Sequence, residues 1–284
     1  MSAFPWLQST EHAAVPELPE VETVRAGLQR LLAGSVIARA RAMRKDLRKP
    51  MPRDLASQLA GRTVRGVRRR AKYLLIDTDG PGLLCHLGMT GVWRLAPEGD
   101  QKMHDHVVLE LKDGRRVVFN DPRRFGLIDL LRHGDRHPAL DALGPEPLST
   151  AFDTDVLFSA FQRHRRAPVK AVIMDQAVVV GVGNIYAAES LFRSGIHPLR
   201  AAGRITKTRV ERLVGVIREV LSEAIAAGGS SIDDFRHVNG LSGRFQHTFR
   251  VYGREGQACS MCKSTLKGRV IGGRASVWCP RCQK

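Results

Sequence analysis

The sequence predicts an α+β protein of more than one domain. Three observations predict it. Residues 35–130 carry apolar alternation of period two, residues 151–228 carry a helical period, and four of the five cysteines lie in the last 26 of 284 positions.

Residues 1–15 show no pattern and read as an extension. Val21, Val24, Leu28, Leu31 and Leu32 then recur at helical spacing, with Pro19 in the first turn and Gly34 as the stop. Lys72–Ile76, Gly82–Leu87 and Val92–Leu95 read as strands. Val107, Leu109 and Leu111 alternate into an Asp113-Gly114 turn, and Val117–Phe119 returns. LGPEPLS at Leu143–Ser149 reads as a boundary, which gives a first, β-rich domain over 16–146. Beyond it Val210, Leu213, Val214, Ile217, Val220, Leu221 and Ile225 form one apolar stripe. Thr208 and Glu211 open it at capping-box spacing, and Gly228-Gly229 closes it. A helical domain over 151–248 follows from this, with a short-stranded module over 249–284.

Charge narrows the partners. Lys and Arg number 45 against 28 Asp and Glu, a net +17. Such an excess favours a polyanion, above all nucleic acid; a basic surface with no ligand is the alternative. No apolar run reaches membrane length, and the first fifteen residues lack the charge and apolar core of a secretory signal. A cytoplasmic protein that does not meet membranes is expected.

Cys259-x-x-Cys262 and Cys279-x-x-Cys282 stand sixteen residues apart. Two such knuckles place four thiolates tetrahedrally around one structural Zn²⁺, which replaces a core that so short a module cannot build. Disulfides are the competing reading, disfavoured inside a cell. Residues 256–284 hold six Lys or Arg and no acid, which suits DNA contact; protein docking is the other use of such a ribbon. Cys85 stands apart and reads as a small buried hydrophobe.

Four further clusters carry chemistry. Gly181-Val182-Gly183-Asn184 places Asn184 at a helix N-terminus, where free N–H groups bind phosphate, near basic Arg163, Arg165, Arg166 and Lys170. A glycine turn with an Asn cap is the plainer reading. Asp121–Gly126 and His86–Gly91 carry Arg123, Phe125 and Met89, residue types that wedge into a base stack when a nucleotide is extruded. Their alternative is a place in the core. Pro16–Thr23 supplies Glu17 and Glu20, which by position alone are first-turn helix acids.

Taken together these segments resemble the bacterial formamidopyrimidine-DNA glycosylase family. The resemblance runs from Pro16 to Lys284 and rests on PELPEVET (16–23), RRAKYLL (69–75), HLGMTG (86–91), MHDHV (103–107), NDPRRFG (120–126), LGPEP (143–147), GVGNIYAAESLF (181–192), VYGR (251–254) and the four cysteines. Relatives that act on oxidised pyrimidines usually open Pro-Glu-Gly, so Pro16-Glu17-Leu18 is similar to the purine-lesion branch.

The resemblance implies an N-terminal β-sandwich with flanking helices, a C-terminal helix–two-turn–helix module with the zinc ribbon, and damaged double-stranded DNA bound between them by a monomer. It implies a bifunctional glycosylase and AP lyase of base-excision repair, acting on 8-oxoguanine and formamidopyrimidines. Pro16 corresponds to the amine that attacks C1′, Glu17 to the acid, Lys72 to the lysine of β-elimination and Arg274 to the arginine of δ-elimination. Met89, Arg123 and Phe125 correspond to the wedge, and His104, Arg123, Arg165, Lys170 and Asn184 to DNA contacts. Arg165 stands where relatives often carry lysine. The segment Ser231–His247 would cover the flipped base. Two other functions stay open: a DNA-binding protein without chemistry, and a glycosylase for oxidised pyrimidines.

The start of the chain departs from that pattern. Pro16 is internal, and an amide nitrogen in resonance cannot attack C1′. The expectation is that residues 1–15 are a mis-called start. Val15 would mark a GTG start codon, and the initiating methionine would be removed before Pro16.

Overall fold

The computed structural model describes residues 15–132, 137–230, 238 and 243–284. Of the segment Ser231–His247, residues 231–237 and 239–242 lie outside the described residues, as do residues 1–14 of the extension.

Helix α1 (Leu18–Leu32) opens the described chain and buries Leu18, Val21, Val24, Leu28 and Leu32 along one stripe. Eight strands follow: β1 (Ile37–Ala42), β2 (Val64–Arg70), β3 (Tyr73–Thr78), β4 (Gly82–His86), β5 (Val92–Ala96), β6 (Asp105–Leu111), β7 (Arg116–Asn120) and β8 (Leu127–Leu131), with α2 (Leu55–Leu59) after β1. They form two antiparallel sheets, ordered β1-β6-β7-β5 and β2-β3-β4-β8. The sheets face each other across one core. Ile37, Val107, Leu109, Val117 and Phe119 come from the first, Val67, Leu74, Ile76, Leu83 and Cys85 from the second, and α1 and α2 close its side. The result is a β-sandwich with flanking helices.

The expected β6–β7 hairpin is present, with Val107 opposite Phe119 and Leu109 opposite Val117. Strands β1 and β2 escape a period-two reading for a physical reason. Their sequences, IARARA and VRGVRRR, bury only every third residue and interleave it with arginine. Cys85 is fully buried and accepts the Trp93 indole N–H at 3.3 Å, as a small core residue should.

After α3 (Pro138–Asp141) the chain is mainly helical: α4 (Thr154–Arg163), α5 (Val169–Ile173), α6 (Asn184–Arg193) and α7 (Lys207–Ala226). These share a second core built on Phe161, Ile173, Tyr186, Leu191, Leu213, Ile217 and Leu221. The α7 stripe is as expected, but its cap is not Thr208. Thr206 is the N-cap, and its side chain accepts from the Arg209 N–H. The last hairpin, β9 (Lys267–Ile271) with β10 (Arg274–Trp278), packs with the cysteines under Ala188 and Phe192 of α6. Among the described residues no helix is long and apolar enough to cross a membrane.

Candidate active site and nucleic-acid interface

Glu17 ends the extended chain before α1 and is 3% exposed. Its carboxylate leaves its own helix and closes another. It accepts from the N–H groups of Gly183 and Ile185, both at 2.9 Å, and of Tyr186 at 3.4 Å. The expectation that these free N–H groups hold a phosphate is therefore corrected: the anion at the start of α6 is Glu17. The approach explains the second glycine of GVGN, since a Cβ on Gly183 would overlap the Glu17 carboxyl. Burial pushes the Glu17 pKa up to about 7; Lys72 and the N–H donors oppose the rise, and Glu20 adds to it. A carboxyl poised there exists in both forms at neutral pH, which is what a general acid needs.

Glu20 is more than a first-turn acid. It is buried, accepts the Glu17 N–H at 3.0 Å, the Tyr186 hydroxyl at 2.5 Å and both the N–H and hydroxyl of Ser230. Pro16, beside Glu17, is buried too.

Lys72 sits in the two-residue turn between β2 and β3, where Arg70 pairs with Tyr73. The residue before it, Ala71, is left-handed with φ +54 and is 1% exposed; for a residue with a Cβ this costs about 1–2 kcal/mol, which its surroundings must offset. Burial pulls the Lys72 ammonium below its usual range, Glu17 and Glu20 resist, and Arg274 adds to the fall. The structure thus brings Glu17, Lys72 and Arg274 into one electrostatic cluster. His86, on the neighbouring strand opposite Tyr73, joins it. Burial drives its imidazole down to about 4, with Lys72 and Arg48 helping, so it stays neutral. Arg274 itself is exposed at the start of β10.

Lys170 is placed differently from a surface cation. It is 1% exposed, and its ammonium donates to the Asn184 Oδ1 at 2.6 Å, the Ser276 hydroxyl at 2.5 Å and the Ala275 carbonyl at 3.3 Å. Three donors meet three acceptors, so no N–H is left for a phosphate. Asn184 is half-buried, and its Nδ2 also donates to Ala275, at 3.0 Å. The pair ties α6 to the strand that begins with Arg274. Burial holds the Lys170 pKa down at about 8.

Met89, Arg123 and Phe125 come together on two loops, and none is core. Phe125 is 44% exposed, and the Arg123 guanidinium lies 4.9 Å from its ring centroid. Their common support is Asp121, fully buried, which sequence reasoning passes over. Its carboxylate accepts from the Thr90 hydroxyl at 2.6 Å and the Gly126 N–H at 2.8 Å, while its own N–H donates to the His104 carbonyl at 3.1 Å. His104 is exposed with φ +72, a position its loop must impose. Arg165 is exposed after α4, its carbonyl fixed by the Gly203 N–H.

The four cysteines converge, with every Sγ within 4.8 Å of the others. Cys259 to Cys282 is 3.9 Å and Cys262 to Cys279 is 3.4 Å. A tetrahedral metal with bonds of about 2.3 Å requires S–S edges of about 3.8 Å, so the set fits one four-thiolate ion. An open depression of about 690 Å³ lies elsewhere, lined by Arg65, Asp77, Thr78 and Leu140. It sits at the far end of the β2–β3 hairpin from Lys72 and contains none of these groups.

Comparison with known proteins matches this architecture throughout. The family model of the formamidopyrimidine-DNA glycosylase N-terminal domain fits residues 15–128, and that of the H2TH domain fits residues 143–236. The formamidopyrimidine-DNA glycosylase of Paracoccus denitrificans is 52% identical over 284 aligned residues, covering 95% of this chain and 100% of that protein. Its counterpart in Stenotrophomonas maltophilia is 52% identical over 272, with the same coverage. Among solved structures, MutM (Fpg) from Thermus thermophilus has a TM-score of 0.85 at 42% identity, covering 94% of this chain and 98% of that one. Lactococcus lactis Fpg, in complex with DNA containing an abasic site, has a TM-score of 0.87 at 32% identity, covering 94% and 99%. Sandwich, H2TH module and ribbon define a DNA glycosylase of base-excision repair. Within that class, the chain belongs to the formamidopyrimidine-DNA glycosylase family.

Proposed function

We propose that the protein excises oxidised purines, 8-oxoguanine and formamidopyrimidines, from duplex DNA and then cuts the backbone by β,δ-elimination. The observation that carries this reading is Glu17: a buried carboxyl, raised to about 7, adjoining Pro16 and coupled to Lys72.

The Pro16 nitrogen, as a free secondary amine, forms a bond to C1′ while the C1′–base bond breaks; the base leaves with the electron pair and takes up the proton that the amine nitrogen gives up. Glu17 supplies the proton to the sugar ring oxygen, which opens the ring and leaves an iminium. The iminium acidifies C2′–H. Lys72, its ammonium weakened by burial, moves the proton as the C3′–O bond breaks. Arg274 serves the second elimination, in which the C5′–O bond breaks. Met89, Arg123 and Phe125 fill the vacated stack. His104, Arg165 and Asn184 meet the DNA, and Lys170 supports Asn184 from within. The four thiolates hold Zn²⁺ in a purely structural role, keeping the hairpin of Arg274 in shape.

The chemistry requires Pro16 to be an N-terminus, so the active form is the chain that begins there. The deciding experiment compares cleavage of a duplex carrying one 8-oxoguanine with one carrying an oxidised thymine. Faster excision of 8-oxoguanine, with phosphate at both ends of the gap, supports the proposal. Preference for the thymine lesion makes the protein a pyrimidine glycosylase, and binding without cleavage by the Pro16 form makes it a binder only. One of the Lactococcus lactis Fpg complexes holds DNA containing an oxidised pyrimidine, which is why both substrates are needed.

A further inference from the structure

The linker between sandwich and helical module does more than join them. Glu146, in its middle, reaches back to the Lys72 turn. Its Oε1 accepts the Ala71 N–H at 2.6 Å and Arg70 Nη1 at 3.2 Å, and its Oε2 accepts Arg69 Nη1 at 2.7 Å. Arg70 Nη2 also donates to the Leu143 and Gly144 carbonyls, at 2.9 and 2.6 Å. Ala71 is the left-handed residue immediately before Lys72. A carboxylate on its N–H, flanked by two guanidinium groups, is a strong and directional restraint on that conformation.

The same linker is fastened on its other side. The Gly144 N–H donates to the Gln176 carbonyl at 2.8 Å, and the Val180 N–H to the Pro145 carbonyl at 3.1 Å. The Gln176 side chain accepts from the Gly181 N–H at 2.8 Å and donates to the Val182 carbonyl at 3.1 Å. Residues 181–183 lead into the cradle of Glu17. Hydrogen bonds joined by short stretches of backbone therefore run from the Lys72 turn through Glu146 and the linker to the groups that hold Glu17. Glu146 is not among the charges that act on the Lys72 ammonium, which are Glu17, Glu20 and Arg274. Its influence is geometric.

We propose that Glu146 is a positioning residue for the elimination step, gripping the Ala71 turn from the 143–147 linker and so fixing Lys72 relative to the Glu17 cradle. The proposal rests on the reading of Lys72 given above and adds a residue to it.

The test is a double-mutant cycle in the DNA-cleaving form, using single-turnover cleavage of a duplex with a pre-formed abasic site. Glu146→Ala should slow elimination about 10- to 100-fold, as misplacement of a reacting group does. Affinity for an uncleavable abasic analogue should stay within about 2-fold, and the midpoint of the pH–rate profile should not move. In a Lys72→Ala background the same change should add less than about 2-fold, because both act through one group. Glu146→Gln, which keeps an acceptor for the Ala71 N–H, should fall between, and carries the cycle if the alanine variant fails to fold. Full multiplicative losses in the double variant, or an undiminished rate in Glu146→Ala, overturn the proposal. Full cleavage by Lys72→Ala alone instead removes the role of Lys72, and the proposal with it.

Discussion

The Glu17 carboxylate caps a helix that starts far along the chain, accepting the Ile185 N–H at 2.9 Å across 168 positions of sequence. Burial outweighs this cap, so stability should depend on pH. With the folded pKa at about 7 against 4.5, Glu17 favours the folded state fully below pH 4.5, and this contribution is lost as pH rises through 7. The loss amounts to about 3 kcal/mol. Urea unfolding of the DNA-free protein at pH 5 and pH 8 should show Glu17→Gln lacking most of that decline; an unchanged decline would remove Glu17 as its source.

Excision should need the proton of Glu17, because a nucleotide sugar has to be opened at its ring oxygen, whereas a pre-formed abasic site already equilibrates with an open aldehyde that the amine can meet directly. Excision of 8-oxoguanine should fall as pH rises past about 7. Glu17→Gln should cut excision by about 10²–10⁴-fold, yet leave abasic-site cleavage within about 10-fold of the parent. Equal losses on the two substrates would mean that Glu17 is structural only.

Phe125 has no core to lose, being 44% exposed. Phe125→Ala should slow excision of a paired lesion but scarcely affect an abasic site, which has no base to extrude. Stopped-flow fluorescence with a base analogue beside the lesion reads the step directly. The same slowing on both substrates would count against the wedge.

Lys170→Met leaves Asn184, Ser276 and the Ala275 carbonyl without their shared donor. Stability should fall by about 1–3 kcal/mol, since the Asn184 Oδ1 is left without its donor while the Ala275 carbonyl keeps the Asn184 Nδ2. Cys262→Ser should release the metal and, like Lys170→Met, weaken binding to damaged and undamaged duplexes together. A variant that retains a full metal equivalent and normal affinity would contradict the four-thiolate assignment.

Borohydride should trap the chain that begins at Pro16 onto 8-oxoguanine DNA, and should not trap the chain that retains residues 1–15 with Pro16 internal. Trapping of the longer chain, with peptide mapping to another amine, would move the nucleophile elsewhere, for example to Lys72.

Much of this is legible in the sequence because it is local. The α1 stripe, the β6–β7 hairpin and the paired cysteines each declare themselves over a short stretch of chain. What escapes is long-range. Nothing near Glu17 says that Gly183 and Ile185 receive it. Nothing near Asp121 says that it supports loops carrying Met89, His104 and Phe125 at once. Lys170 reads with the surface arginines because a net +17 hides a lysine that is buried. Strands β1 and β2 are obscured by the arginines on their exposed positions.

The cap on α6 also sets an order of events. The sandwich is translated first, but Glu17 is buried, and so gains its raised pKa, only when the helical module has folded over it, with the N–H groups of Gly183, Ile185 and Tyr186 holding the carboxylate against that rise. Until then it is an ordinary solvated carboxylate. A nascent or truncated chain with a free Pro16 has an amine but no acid to partner it. The carboxyl proton that excision is proposed to need is thus absent until the helical module, which follows the sandwich in the chain, has folded onto α1.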